Sequence, residues 1–246
     1  MSNYINITLE NIDKEHLCCA ISDKKHQAGV DCKRNWLKDR IKEGHVFRKL
    51  DANGKVFIEY APLETAWAPV TGDNYLYIYC LWVAGSYKGN GYGKDHLEYA
   101  IAEAKKQGKS GICTISSKKK KPFVSEKTFF SIYGFEVADT ISDYELLALS
   151  FSGDMPKFNE AVHKMEISDS DLTIYYSPQC PFTMNCIKEA EEYISETGAK
   201  INFNKIDSLE KAKNVPCIFN NWAVFKDGKF VSNTLLNKNS LAKLSD

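Results

Sequence analysis

This sequence lacks net charge: 32 Lys and Arg residues are balanced by 32 Asp and Glu. With no excess of either sign, there is no electrostatic reason to expect nucleic acid or an anionic membrane as partner. Nor does any apolar run approach the ~20 residues that a membrane-spanning helix needs. The opening Met-Ser-Asn-Tyr-Ile-Asn-Ile has no basic-then-apolar layout of a secretory signal, so a cytoplasmic location is the expectation. Eight cysteines are present, but no Cys-x-x-Cys pair and no Cys/His zinc spacing, so no metal is expected. Disulfide frames belong mainly to small secreted domains, whereas 246 residues suffice for two ordinary cores. Most of these thiols are therefore expected to be buried or idle, with Cys180 as the exception.

What is present reads as alternating strands and helices. Ile5–Leu9 alternates apolar and polar side chains, as a half-buried strand does. Lys25–Gly44 has helical spacing at Trp36, Leu37 and Ile41, with Gly44 as its stop. His45–Asp51 and Lys55–Ala61 are β-type runs around an Asn53-Gly54 step, which favours a hairpin. Tyr75–Val83 is dense in aromatic and β-branched residues and suits a central strand. A glycine-rich turn follows, then an amphipathic helix over about Tyr92–Gln107 and a short strand at Gly111–Ser116. Ser125–Tyr133 reads as a helix with Ser125 as N-cap, and Phe135–Ala138 and Asp143–Ser152 as strands. After a break at Gly153-Asp154-Met155-Pro156, the order changes to β-α-β and then β-β-α. The expected division is residues 1–152, a connector at 153–170 (helix or loop), and a smaller domain at 171–246.

The sharpest local signal is Lys88-Gly89-Asn90-Gly91-Tyr92-Gly93-Lys94, between a strand and a helix. Glycines let the backbone approach a ligand closely, and helix N-terminal amides and the helix dipole favour an anion such as a pyrophosphate. The spacing is neither the Rossmann fingerprint nor a P-loop.

On this loop, the element order around it and Gly134-Phe135 downstream, residues 3–151 resemble the GNAT superfamily of N-acetyltransferases. Lys88, Gly91 and Gly93 fit the family frame, with Lys where Arg or Gln is more usual. The resemblance implies a mixed, largely antiparallel sheet flanked by helices, with acetyl-CoA as cosubstrate. It places the CoA pyrophosphate on the amides of Asn90–Lys94 and the pantetheine along Leu81, Trp82 and Val83. Lys88, Gly89, Tyr92 and Ser116 complete the implied cofactor-binding set. The acceptor would be a small-molecule or peptide amine attacking directly. Where many members carry Phe-Tyr, this chain has Phe129-Phe130, and Phe130 cannot protonate a leaving thiolate. Tyr133 is the substitute candidate, and Glu59 and Glu64 are candidate bases. Ser116 and Ser117 stand where an Asn is common, and Lys118–Lys121 are candidates for the CoA 3′-phosphate.

Further on, Leu172–Tyr176 runs into Cys180 at the mouth of a helix, a position that stabilises thiolate. With Val215-Pro216 before a hairpin, residues 170–245 resemble the thioredoxin/glutaredoxin fold, in which a cis-proline packs beside the reactive Cys. Thr183 occupies the place of a second cysteine. The whole layout is similar to the YoaP-type proteins. Two alternatives to acetyl transfer stay open: thiol–disulfide exchange at Cys180, or a non-catalytic CoA-binding or thiol-sensing module.

Overall fold

The computed structural model describes residues 3–17, 19–20, 23–121, 123–219 and 221–245. Its described residues divide into two compact units, one drawn from 1–21, 37–66 and 70–158, the other from 22–36, 67–69 and 159–246.

In the first unit the strands are β1 (Tyr4–Asn6), then, after helix α1 (Gln27–Lys42), β2 (Val46–Leu50), β3 (Val56–Pro62), β4 (Val70–Thr71) and β5 (Tyr75–Val83). Helix α2 (Tyr92–Lys106), β6 (Gly111–Ser117), α3 (Lys127–Ile132), β7 (Glu136–Ile141), β8 (Tyr144–Ser150) and β9 (Lys157–Phe158) follow. Seven strands form one sheet in the order β1-β2-β3-β5-β6-β8-β7, antiparallel except for the β5/β6 pair. Parallel neighbours need a crossover, and α2 supplies it. Alternation sends Ile58 and Tyr60 of β3 and Leu76 and Ile78 of β5 to one face. There they meet Leu97, Ala100 and Ala104, which recur along one stripe of α2.

The second unit contains the α1 residues as far as Trp36. Its sheet is built from β10 (Leu172–Tyr176), α4 (Pro181–Thr197), β11 (Ile201–Lys205), α5 (Leu209–Lys213), β12 (Trp222–Lys226), β13 (Lys229–Ser232) and α6 (Lys238–Ser245). The strand order is β11-β10-β12-β13, with β10/β11 parallel across α4 and the other pairs antiparallel. Asp227 and Gly228, both at positive φ, make the two-residue turn expected of the Asp-Gly step.

The structure departs from the sequence reading at four places. Strand β1 ends at Asn6, short of the expected Ile5–Leu9. Glu126, not Ser125, precedes α3 as its N-cap, because Ser125 is bonded to β6 instead. The stretch 157–170 contains β9, paired with β4, and a 3₁₀ turn at Glu160–Lys164. The Val215–Pro216 bond is trans, since no cis peptide occurs among the described residues.

Candidate active site

Strand β5 is paired with β3 along almost its whole length, from Leu76 opposite Pro62 to Val83 opposite Val56. Its pairing with β6 stops after Tyr75, Leu76 and Tyr77 meet Gly111, Ile112 and Cys113. Yet β6 continues to Ser117, held by β8 on its far side. Beyond Ile78 and Thr114 the two parallel strands therefore part and leave a wedge. A bulge lies at the point of divergence: Glu59 faces Cys80 and Tyr60 faces Ile78, so Tyr79 is the extra residue. Bulges bend the strand that carries them. Past it, the Ala84 N–H donates to the Lys55 carbonyl at 3.1 Å. Backbone groups alternate in direction along a strand, so the amides of Leu81 and Val83 face the wedge and that of Trp82 faces β3. The Trp82 side chain is 47% exposed.

At the end of β5 the chain enters the glycine loop. Gly85, Gly89 and Gly91 all have positive φ, and a Cβ on any of them would meet no protein atom within 4 Å. Gly91 is the N-cap of α2 and gives it no side-chain cap. The first amides of a helix have no intrahelical acceptor, so those of Tyr92, Gly93 and Lys94 are available to an anion. The Asn90 amide donates to the carbonyls of Ser86 and Lys88, both at 3.1 Å, and fixes the loop from within. At Gly93 a Cβ would lie 3.5 Å from the Phe129 ring and 3.7 Å from Leu81, so loop, β5 and α3 converge there.

The Acetyltransferase (GNAT) family model matches residues 9–120, and the YoaP-like model matches residues 200–243. Uncharacterized N-acetyltransferase YoaP of Bacillus subtilis (strain 168) is 41% identical over 98% of this chain and 97% of its own. The chain belongs to the GNAT family of N-acetyltransferases. An N-acetyltransferase structure from Staphylococcus aureus Mu50 aligns at 15% identity and TM-score 0.42, over 61% of this chain and 100% of its own. A GNAT family acetyltransferase from Brucella melitensis in complex with acetyl-CoA aligns at 15% identity and TM-score 0.41, over 65% and 94%.

Among the GNAT candidates, Leu81, Trp82, Val83 and the loop 88–94 border the wedge together. Tyr133 is the C-cap of α3 and its ring lies 5.2 Å from that of Phe129, tilted by 51°; the Phe129 ring is the one beside Gly93. Glu59 is 2% exposed and accepts from His45 Nε2 at 3.0 Å; the His45 ring lies 4.9 Å from that of Tyr79. Glu64 is at the opposite end of β5, where its Oε1 accepts from the Asn74 N–H at 2.9 Å. The nine residues of β5 put it roughly 25 Å from the glycine loop. Ser116 is buried and its hydroxyl donates to the Ser125 carbonyl at 2.6 Å, while Ser117 donates to the Lys119 carbonyl. Lys118, Lys119 and Lys120 are exposed, with Lys118 donating to the Ser142 carbonyl, and the half-buried Lys121 pairs with Asp143; Pro122 lies outside the described residues. Cys180 belongs to the second unit, where it is the N-cap of α4.

A further cluster, absent from the sequence reading, anchors the first turns of the GNAT helix α2. Arg48 of β2 lies between the rings of Tyr4 and Tyr99, 3.9 and 4.0 Å from their centroids, and 3.2 Å from His96 Nδ1. The Tyr4 hydroxyl donates to Asp95 at 2.6 Å. Burial, then the nearby Arg48 charge, lowers the His96 pKa to about 4. The ring is neutral at physiological pH and leaves Arg48 as the cation of the cluster. Only the aromatic residues of β1 and α2 signal this in sequence, and their meeting depends on sheet order.

Proposed function

We propose that the first unit transfers acetyl from acetyl-CoA to a small-molecule or peptide amine by direct attack. Acetyl-CoA is the acetyl donor, and its thioester supplies the activated carbonyl. The wedge opening onto the glycine loop carries the reading, because it joins an unpaired strand edge to an uncapped helix N-terminus. The amides of Asn90–Lys94 hold the pyrophosphate, with Lys88 and Gly89 shaping the approach and Tyr92 and Gly93 opening the helix. Leu81 and Val83 offer their free backbone edge to the pantetheine amides, and the Lys118–Lys121 run faces the 3′-phosphate. The amine nitrogen attacks the carbonyl carbon, the C–S bond breaks, and Tyr133 gives a proton to the departing thiolate. Of the two carboxylates, Glu59 is the one near the wedge; paired with His45 beside the bulge, it takes up the amine proton.

Gly91→Val tests the donor site. A β-branched residue at positive φ is strained, and its side chain would fill the open space above the helix amides. Acetyl-CoA affinity, measured by calorimetry, should fall at least about tenfold, or about 1.4 kcal/mol. Equal affinity would remove the basis of this reading.

For residues 171–246 the β-α-β-α-β-β-α order and the 11-10-12-13 sheet support a thioredoxin/glutaredoxin-like domain that assists substrate or thiol recognition. Residues 153–170 connect it to the acetyltransferase domain at 1–152. Burial favours this role over thiol–disulfide exchange. Cys180 is the N-cap of α4, with Pro181 opening the helix, yet it is only 9% exposed. Thr183 donates its hydroxyl toward the Ser177 and Cys180 carbonyls, and burial drives the Cys217 thiol far above its usual pKa. In brief iodoacetamide labelling read by mass spectrometry, Cys180 should react more slowly than the partly exposed Cys32. Faster labelling would place the thiol within reach and favour exchange.

A further inference from the structure

We infer that Thr114, Ser116 and Ser125 form a hydroxyl lock that holds β5 and β6 apart. It makes them positioning residues for the donor, an inference that rests on the acetyl-CoA reading above. The first β5 carbonyl beyond the ladder is that of Ile78, and it accepts from Thr114 Oγ1 at 3.0 Å rather than from a β6 amide. A threonine hydroxyl has one proton, so the 2.8 Å contact between Thr114 Oγ1 and Ser125 Oγ is donated by Ser125. On the β6 side, the Ser125 N–H donates to the Ile115 carbonyl at 3.0 Å and Ser116 Oγ donates to the Ser125 carbonyl at 2.6 Å. Ser125 thus makes a parallel bridge with Ser116 and occupies the β6 edge that would otherwise zip onto β5.

The chemistry explains why hydroxyls stand here. Thr114 and Ser116 are fully buried on the face they share with Ile112, in a strand that is otherwise apolar at its centre. Buried carbonyls and amides need partners. Two strands that part inside a core lose theirs, and the lock replaces them on both strands without using the amides of Leu81 and Val83. Those amides stay open for a ligand that pairs as a strand would. Aliphatic side chains would leave the Ile78 and Ser125 groups without partners, and the cheapest repair is for β6 to close onto β5.

The test compares Thr114→Val, Thr114→Ser and Ser125→Ala with the wild-type chain. Acetyl-CoA affinity is measured by calorimetry and amide exchange of Leu81 and Val83 in the free protein. Thr114→Val should weaken acetyl-CoA binding at least about tenfold and slow exchange at both amides, while Thr114→Ser restores both. If Thr114→Val does not fold, Ser125→Ala, which keeps the Ile78 bond, should show both changes in smaller measure. Wild-type affinity and unchanged exchange in a folded Val or Ala variant overturn the lock. The exchange readout needs no ligand. Slowed exchange in a chain whose wild type binds no acetyl-CoA removes the donor reading and leaves the lock; unchanged exchange with normal wild-type binding does the reverse.

Discussion

Tyr133→Phe is expected to lower turnover roughly 10²-fold while leaving acetyl-CoA affinity intact. Phe130, where the resemblance would place a tyrosine, is 2% exposed and packed among the core rings, so it has neither a proton nor access. Tyr133 lies three residues on, at the end of α3, on the same side as Phe129 and Phe130. Its ring is partly buried against that core and lies tilted against Phe129, whose tip lies beside Gly93. The phenol is thus one ring removed from the point where loop, wedge strand and helix meet. Replacing it with Phe keeps the packing and deletes one donor, so a loss in turnover without a loss in binding assigns the transition state. Release of free CoA thiol, with an amine acceptor found by library screening, measures it. Unchanged turnover would mean that water or another group protonates the thiolate and that Tyr133 only packs.

The local features of this site were legible from sequence because their causes are local. Aromatic and β-branched residues put Tyr75–Val83 in the middle of the sheet, and glycine adopts the positive φ angles at Gly89 and Gly91 without steric cost. Other features depend on partners far away in the chain. Ser125 has the look of an N-cap, but hydrogen bonds to Thr114 and Ile115 compete with capping and win. Strand alternation gives Glu59 a face without saying which face is buried. Its bond to His45 depends on the register across a hairpin whose connection is five residues long, too long for turn type alone to fix. Helical periodicity likewise reveals a stripe on α1 but not its neighbour. Within the second unit, a Cβ on Gly29 would overlap the Pro181 carbonyl, and Lys33 donates to the Gln179 carbonyl at 2.9 Å. Gly29 and Lys33 of α1 thereby hold the two residues that flank Cys180, a thiol that its sequence position alone would make reactive and that is 9% exposed.

Acid should destabilise the first unit through His96. Its folded-state pKa of about 4 lies below the usual 6.5 of a solvated imidazole, because the ring is buried and Arg48 is close. A backbone bond to Val56 and the Asp95 charge oppose the shift without cancelling it, and Tyr4, packed on Arg48, stays neutral because burial and its bond to Asp95 raise its hydroxyl well above the usual pKa. Between these two pKa values the unfolded chain takes up a proton that the folded chain refuses. Stability is therefore unaffected well above pH 6.5, falls as pH drops through 6.5 toward 4, and levels off below 4. The expected loss is about 2 kcal/mol on going from pH 7 to 5 and about 3 kcal/mol in full. Urea unfolding at pH 7 and 5 measures it, with His96→Gln as the reference that cannot titrate. The wild type should lose about 2 kcal/mol more than this variant over that interval. Parallel losses would assign the acid sensitivity to carboxylates instead. Because His96 lies in the second turn of α2, one turn past the loop amides, the same titration should reach the donor site. A proton forced onto the ring sets two cations 3.2 Å apart and loosens the anchor that aims those amides.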